Sequence, residues 1–529
     1  MSSGGETHDH SVSIASVRGE GLIAIGINTK IFIVIHDGVK EQTGVVDDGQ
    51  VVRGVAFLQS STGSRYLVSG GDGKRINMYS IPTLKGISEE QSNLFSAGIP
   101  LSFSVGPHTK RITHVATCGD STILFADKFG EVYRLSLTWT PDQTPNSGVT
   151  TTMIKCGSAP VFLLQHFSVI STFFLSSPIS GKSLMDHSTE NGNEKTRTML
   201  PLIGRRLFTC DKDRHARVSC YPDTFRIEQF LWNETPQSVV TSITEIPDPT
   251  GLGKNSYFVV GCFNGMIHLW VADNTLLDAS TSEPFTLLTT LSPEDVGVVN
   301  STIPTTADDG ATTRAVVSLV HVDMSSSINT EIHTNGKSNT QGIFIAYAGI
   351  KDVIFVPLKY DISTQKLSFS METIKQTHLE SFPLAMIGLN NDSAFLLGRD
   401  GCPRILRLIH KETESTIQLV KECYAELEKE IVNYTQGAAD GTLLLRDMNL
   451  FALWNYDAVD PRTRKRNARA VSEDDDDNED GNGSVEGVDT SAAANNTANT
   501  TTNGDTVEKK NMEQMVGSKV PRTESGGVV

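Results

Sequence analysis

Asp127-Lys128-Phe129-Gly130-Glu131-Val132-Tyr133-Arg134-Leu135 opens with a tight polar turn and then alternates apolar with polar side chains. Asp, Asn and Gly tolerate the positive φ angles of a hairpin turn, and a period of two buries one face of a strand. The same grammar recurs at Asn28-Thr29-Lys30-Ile31-Phe32-Ile33, Asp72-Gly73-Lys74-Arg75-Ile76-Asn77-Met78-Tyr79, Asp213-Arg214-His215-Ala216-Arg217-Val218-Ser219 and Asn264-Gly265-Met266-Ile267-His268-Leu269-Trp270. Looser copies are Lys351-Asp352-Val353-Ile354-Phe355 and Asp400-Gly401-Cys402-Pro403-Arg404-Ile405-Leu406, which brings the total to seven.

With residues 31, 76, 132, 216, 267, 353 and 405 as markers, the intervals are 45, 56, 84, 51, 86 and 52. A four-stranded propeller blade takes about 40 to 45 residues, so the four shorter intervals each fit one blade. The two long ones hold polar stretches, about residues 177–202 and 292–341, that read as surface insertions. The pattern predicts an all-β, seven-bladed β-propeller over about residues 11–460, closed so that no sheet edge is exposed. A strand near Ser11 to Val17 is expected to close the ring by pairing with strands near Thr442 to Trp454.

Other segments read differently. Residues 1–10 are expected to be a flexible start. Glu412 to Val432 carries Leu419, Cys423, Leu427 and Ile431 at four-residue spacing among charges, which suggests an amphipathic helix, packed on the flank of the propeller or open to a partner. Pro461 to Ala470 holds Arg462, Arg464, Lys465, Arg466 and Arg469, a basic run suited to nuclear import, to RNA phosphates or simply to water. Residues 471–529 form an acidic, Ala/Asn/Thr-rich tail that cannot bury a core and is expected to be disordered.

The 529 residues are 38% hydrophobic and carry a net charge of −17, of which −9 falls in the tail. A mildly acidic body is not the footprint of a protein that grips nucleic acid over a broad surface, so a partner would supply most of the positive charge for any work on RNA. Seven scattered cysteines form no C-x-x-C pair and read as core thiols of an intracellular protein. Met1 to Ser11 has no apolar signal region, and the run Gly21 to Ile35 is broken by Asn28, Thr29 and Lys30, too polar to span a bilayer. A nuclear location is expected, with the cytoplasm as a second compartment, and no membrane partner.

No P-loop, nucleophile elbow, H-E-x-x-H helix or nucleotide-binding Gly-rich turn is present, so no catalytic residue, metal ligand or resident cofactor is expected. His108, His166 and His268 sit where propeller repeats carry a hydrogen-bonded framework histidine. A propeller enzyme with a site in its channel is disfavoured on the same grounds. A binding module remains.

More specific stretches surround this grammar. His108-Thr109-Lys110-Arg111-Ile112-Thr113, with Leu124-Phe125-Ala126-Asp127-Lys128-Phe129-Gly130-Glu131-Val132-Tyr133, resembles a "K-R-x-T … A-D-K-x-G-[DE]-V-Y" signature. Leu163-Leu164-Gln165-His166-Phe167-Ser168 is similar to "L-L-G-H-x-S", and Phe208 to Ser219, continuing through Tyr221-Pro222-Asp223-Thr224-Phe225, to "[LI]-x-[TS]-x-D-x-D-x-x-[IV]-[KR]-[IV]-S-x-Y-P-x-x-F". About 100 residues over the third to fifth blades thus resemble the non-catalytic WD-repeat subunit of the eukaryotic tRNA (guanine-N7-)-methyltransferase. Gln165, Ala216 and Phe263-Asn264-Gly265 depart from its pattern.

The resemblance implies a WD40-type propeller in a heterodimer. A separate catalytic subunit binds S-adenosylmethionine and forms N7-methylguanosine in the tRNA variable loop, while the propeller stabilises its active conformation. It points to Asp213 and Arg217 as partner contacts, with Lys128 a further partner or tRNA candidate and Lys110 and Arg111 as tRNA candidates. If Ala216 and Val218 face the blade interior, alternation should turn the Arg217 guanidinium outward to pair with a carboxylate. Asp213 also reads as an ordinary turn aspartate, and Lys128 as a solvated turn lysine. The competing reading is a WD-repeat scaffold in an unrelated chromatin or ubiquitin-ligase assembly.

Overall fold

Each of the seven markers lies in the third strand of a four-stranded antiparallel path. The structure, a computed structural model, describes residues 12–36, 41–60, 63–81, 99–141, 152–156, 161–165, 169–175, 206–211, 216–221, 223–231, 238–250, 254–274, 284–298, 314–323, 341–411, 414–420, 424–436 and 445. All of these belong to one compact unit, Met1–Pro461, whereas Arg462–Val529, with the basic run and the tail, lies outside the described residues.

Blade 1 comprises Val12–Val17, Leu22–Ile27, Lys30–His36 and Glu41–Asp47 (β1–β4). Blade 2 comprises Val52–Gln59, Arg65–Gly71, Ile76–Ile81 and Leu101–Val105 (β5–β8). Blade 3 runs through Ile112–Cys118, Thr122–Asp127, Glu131–Pro141, Thr152–Cys156 and Val161–Gln165 (β9–β13), with β12 extending the far half of β11. Blade 4 is Val169–Leu175, Arg206–Asp211, Ala216–Cys220 and Ile227–Leu231 (β14–β17). Blade 5 is Val240–Ile246, Asn255–Cys262, Ile267–Asp273 and Phe285–Leu291 (β18–β21). Val316–Asp323, Gln341–Tyr347, Asp352–Asp361, Lys366–Phe369 and Lys375–His378 (β22–β26) make blade 6. Pro383–Gly388, Ser393–Gly398, Pro403–Lys411 and Glu414–Val420 (β27–β30) make blade 7.

The first strands touch in the cyclic order β1, β5, β9, β14, β18, β22, β27 and back to β1, so they line the centre of a closed ring. Side chains follow from that geometry. All six residues of Leu22–Ile27 are buried because both faces of the strand meet a neighbouring blade. Leu22 and Ala24 pack with Val52, Val55 and Leu67 of blade 2, while Ile23, Ile25 and Ile27 pack with Leu384, Phe395 and Leu397 of blade 7. Burying each such aliphatic side chain contributes roughly 1.5–3 kcal/mol.

Three expectations are corrected. The strand near Ser11 to Val17 pairs with β2 of its own blade, Val12 opposite Ile27, and blade 1 is one contiguous segment. Among the described residues, the seam with blade 7 is closed by packing and by single bonds such as Gly19 N to Leu389 O (2.7 Å) and Ser16 Oγ to Gly388 O (2.7 Å); of residues 442–454 only Leu445, buried in that seam, is described. The polar stretch 292–341 contains the inner strand β22, whose short apolar run was diluted by its surroundings; residues 177–202 lie outside the described residues. The segment 412–432 is divided between strand β30 and helix α1, Ala425–Gln436. A spacing of four satisfies strand and helix periods alike, so it could not separate them. On α1, Leu427 and Ile431 are buried against blades 1 and 7, and Glu41 Oε1 of β4 accepts the amide of Leu427 (2.9 Å) at the helix start. The helix packs on the flank.

Candidate functional site

Strands in a blade alternate in direction, so the turn between second and third strands and the connection into the next blade share one end of the ring. At that end, Asn28, Gly130, Gly265, Gly349 and Gly401 take left-handed backbone angles in the turns of blades 1, 3, 5, 6 and 7. Blade 2 places Lys74 there, at φ 61°. A side chain in this region costs on the order of 1 kcal/mol, and glycine or asparagine is the usual solution.

Blades 2 and 3 meet here through their backbones. His108 N donates to Lys74 O (2.6 Å), and Lys128 N donates to Arg111 O (3.0 Å). Asp127 is fully buried; its Oδ1 accepts the amides of Phe129 (2.9 Å) and Glu131 (3.0 Å), and its Oδ2 faces His108 Nε2 at 3.3 Å. Burial pushes the Asp127 carboxyl above the usual carboxylate range. The His108 ring stands edge-on to Tyr133 (4.6 Å) and Phe125 (5.4 Å), Thr113 Oγ1 donates to Asp127 O (3.3 Å), and Tyr133 OH donates to Glu131 Oε2 (2.6 Å). The framework thus employs His108, Thr113, Asp127, Gly130 and Tyr133.

It leaves the basic side chains over. Lys74, Arg75, Lys110, Arg111 and Lys128 have no carboxylate partner among the described residues, and nearby Asp72 is occupied by both Nε (3.0 Å) and Nη2 (2.9 Å) of Arg53. Lys110 Nζ lies 4.5 Å from the centroid of the Phe129 ring, which is 46% exposed. Cations around an open aromatic face suit a phosphate backbone with an unstacked base, worth about 1–3 kcal/mol for the stack. Lys110, Arg111 and Lys128 are therefore brought together; Phe129 and Lys74 were missed, although a lysine in place of the turn's left-handed glycine is a visible sequence signal.

Arg217 is placed differently from the expectation. Ala216 and Val218 face blade 5, yet Arg217 is only 9% exposed. Its Nε donates to Ser219 Oγ (2.9 Å) and its Nη2 to Thr224 O (2.8 Å), and burial lowers its pKa. Alternation turns a residue to solvent only where one sheet face is wet, and blade 4 is covered on both. Asp213 lies outside the described residues. The Thr224 carbonyl belongs to a turn presenting Phe225, 75% exposed, and Ile227, 41% exposed. His268 is a framework residue bonded to Thr290 Oγ1 (3.0 Å), its pKa pushed down to about 4 by burial, and His166 lies outside the described residues. Cys118, Cys210 and Cys262 are buried, unbridged core thiols.

No family model and no curated protein sequence matches the chain. Among solved structures it is similar to Saccharomyces cerevisiae Sqt1, at 12% identity over 78% of this chain and 93% of that one, with a TM-score of 0.43. It is also similar to the WD40 β-propeller domain of Doa1, at 13% identity over 75% and 93%, TM-score 0.41. A third is the Cps50 (Swd1) propeller domain of Myceliophteria thermophila, at 9% over 75% and 95%, TM-score 0.41. The chain's own strand pairing defines a seven-bladed β-propeller. No helix among the described residues is long and apolar enough to cross a membrane.

Proposed function

We propose that this propeller is the non-catalytic subunit of a tRNA (guanine-N7-)-methyltransferase, acting in the nucleus, while S-adenosylmethionine sits on the catalytic partner. One observation carries the reading. The two longest stretches of the signature pack into a single unit, with Leu124, Ala126 and Val132 of blade 3 in one cluster with Tyr221 of blade 4. Residues shared with that family therefore support one continuous surface rather than two unrelated blades.

The partner contact is assigned to Lys128 and the turn that Arg217 holds, with tRNA approaching Lys110 and Arg111; Asp213, outside the described residues, is kept as a partner contact from the resemblance alone. Arg217 acts from inside the blade by fixing the Thr224 carbonyl, so that Phe225 is presented without an ordering cost on binding. The mechanism is positional: a stiff ring fixes its partner's loops and orients the substrate. Co-expression of the full chain with the catalytic subunit tests it. Phe225→Asp, at an exposed position, is expected to reduce co-purification at least tenfold while the propeller stays folded; full pairing would remove this turn from the interface.

A further inference from the structure

The five cations on blades 2 and 3, none with a carboxylate partner among the described residues, include one at an unusual backbone position. Of the six second-to-third-strand turns described, only that of blade 2 gives the left-handed position to a long charged side chain, Lys74. Its neighbours are fixed tightly: Gly106 lies against the Lys74 carbonyl and the Arg75 side chain with no room for a Cβ, and His108 bonds back to that carbonyl. The backbone bond from Lys128 to Arg111 ties in the adjoining turn. Lys74, Arg75, Lys110, Arg111 and Lys128 thus sit on three connected loops, with Lys110 Nζ 4.5 Å from the half-exposed ring of Phe129, on a chain whose net charge is −17.

We infer that this rim is an RNA-binding surface in its own right, the five cations meeting phosphates and Phe129 stacking an unpaired base. It deepens the tRNA part of the reading above by adding Lys74, Arg75 and Phe129, and it does not depend on which enzyme partners the chain. An acidic peptide would satisfy the cations but would leave the exposed ring without a role, whereas RNA uses both.

The experiment measures binding of the full chain alone to an unmodified tRNA transcript by fluorescence anisotropy across a salt series, with polyglutamate as competitor. Binding in the micromolar range at low salt is expected. Paired reversals Lys74→Glu with Arg75→Glu, and Lys110→Glu with Arg111→Glu, should each weaken it at least tenfold and lower the salt slope by about one per cation removed. Phe129→Ala should weaken it severalfold with the slope unchanged. Lys74→Gly, which suits the turn, keeps the fold and tests the lysine alone by its smaller loss of affinity. Absence of tRNA binding, reversals that bind as the parent does, or displacement by polyglutamate at charge concentrations where tRNA does not compete would each overturn the proposal. Because no methyltransferase is present, failure here is separable from failure of the partnership, which is read by co-purification.

Discussion

The guanidinium of Arg217, near the start of the third strand of blade 4, donates to the carbonyl of Thr224 across the turn that follows it, at 2.8 Å. Removing the side chain leaves that carbonyl and Ser219 Oγ without this donor in a nearly dry site. A hydrogen bond from a charged donor contributes about 1.5–3 kcal/mol. Arg217→Ala is expected to lower the melting temperature by several degrees and to raise proteolysis at the Asp223–Ile227 turn; an unchanged melt and cleavage pattern would show that the clamp does not hold it.

Acid should loosen the ring through its buried histidines. Burial of His268 and His321 lowers both to about 4 from an ordinary 6.5. Between those values the unfolded chain binds more protons than the folded one, so stability is fully present above pH 6.5 and is lost as pH falls toward 4. The loss is roughly 2 kcal/mol per histidine by pH 5. Melting temperatures from pH 7.5 to 4.5 check this, and His268→Gln should flatten the curve.

The closing seam gives a third test. Phe395 is fully buried between blades 7 and 1, beside Ile25 and Tyr424, and Phe395→Ala should cost about 3–5 kcal/mol. Glu41→Ala, which removes the acceptor at the start of α1, should cost about 1 kcal/mol. Denaturant midpoints distinguish the two, and the larger effect belongs to Phe395 if packing rather than strand exchange closes the ring.

Much of this architecture was legible because turn chemistry is local. Ile31, Ile76, Val132, Ile267, Val353 and Ile405 each follow a turn and begin or enter a third strand, and Ala216 begins one. Closure was not legible, since the pairing of Val12 with Ile27 and the packing of Ile25 on Phe395 leave no adjacent sequence mark. Arg217 was misjudged because period two was read as one wet face, whereas a propeller blade is covered on both. Phe225 and Ile227 are exposed because the outermost edge of blade 4 has no blade to cover them.

Lys74→Gly separates stability from binding. Glycine relieves the φ of 61°, so folding should improve by about 0.5 kcal/mol or stay level, while affinity for tRNA falls. A clear loss of stability, read from the denaturant midpoint, would show that the lysine serves the fold instead.

The measurement nearest the centre of the account is the N7-methylguanosine content of tRNA in cells depleted of this protein. The account expects the modification to vanish and to return on re-expression of the parent chain but not of Phe225→Asp. Undiminished N7-methylguanosine after depletion would contradict it and leave a propeller scaffold serving some other assembly.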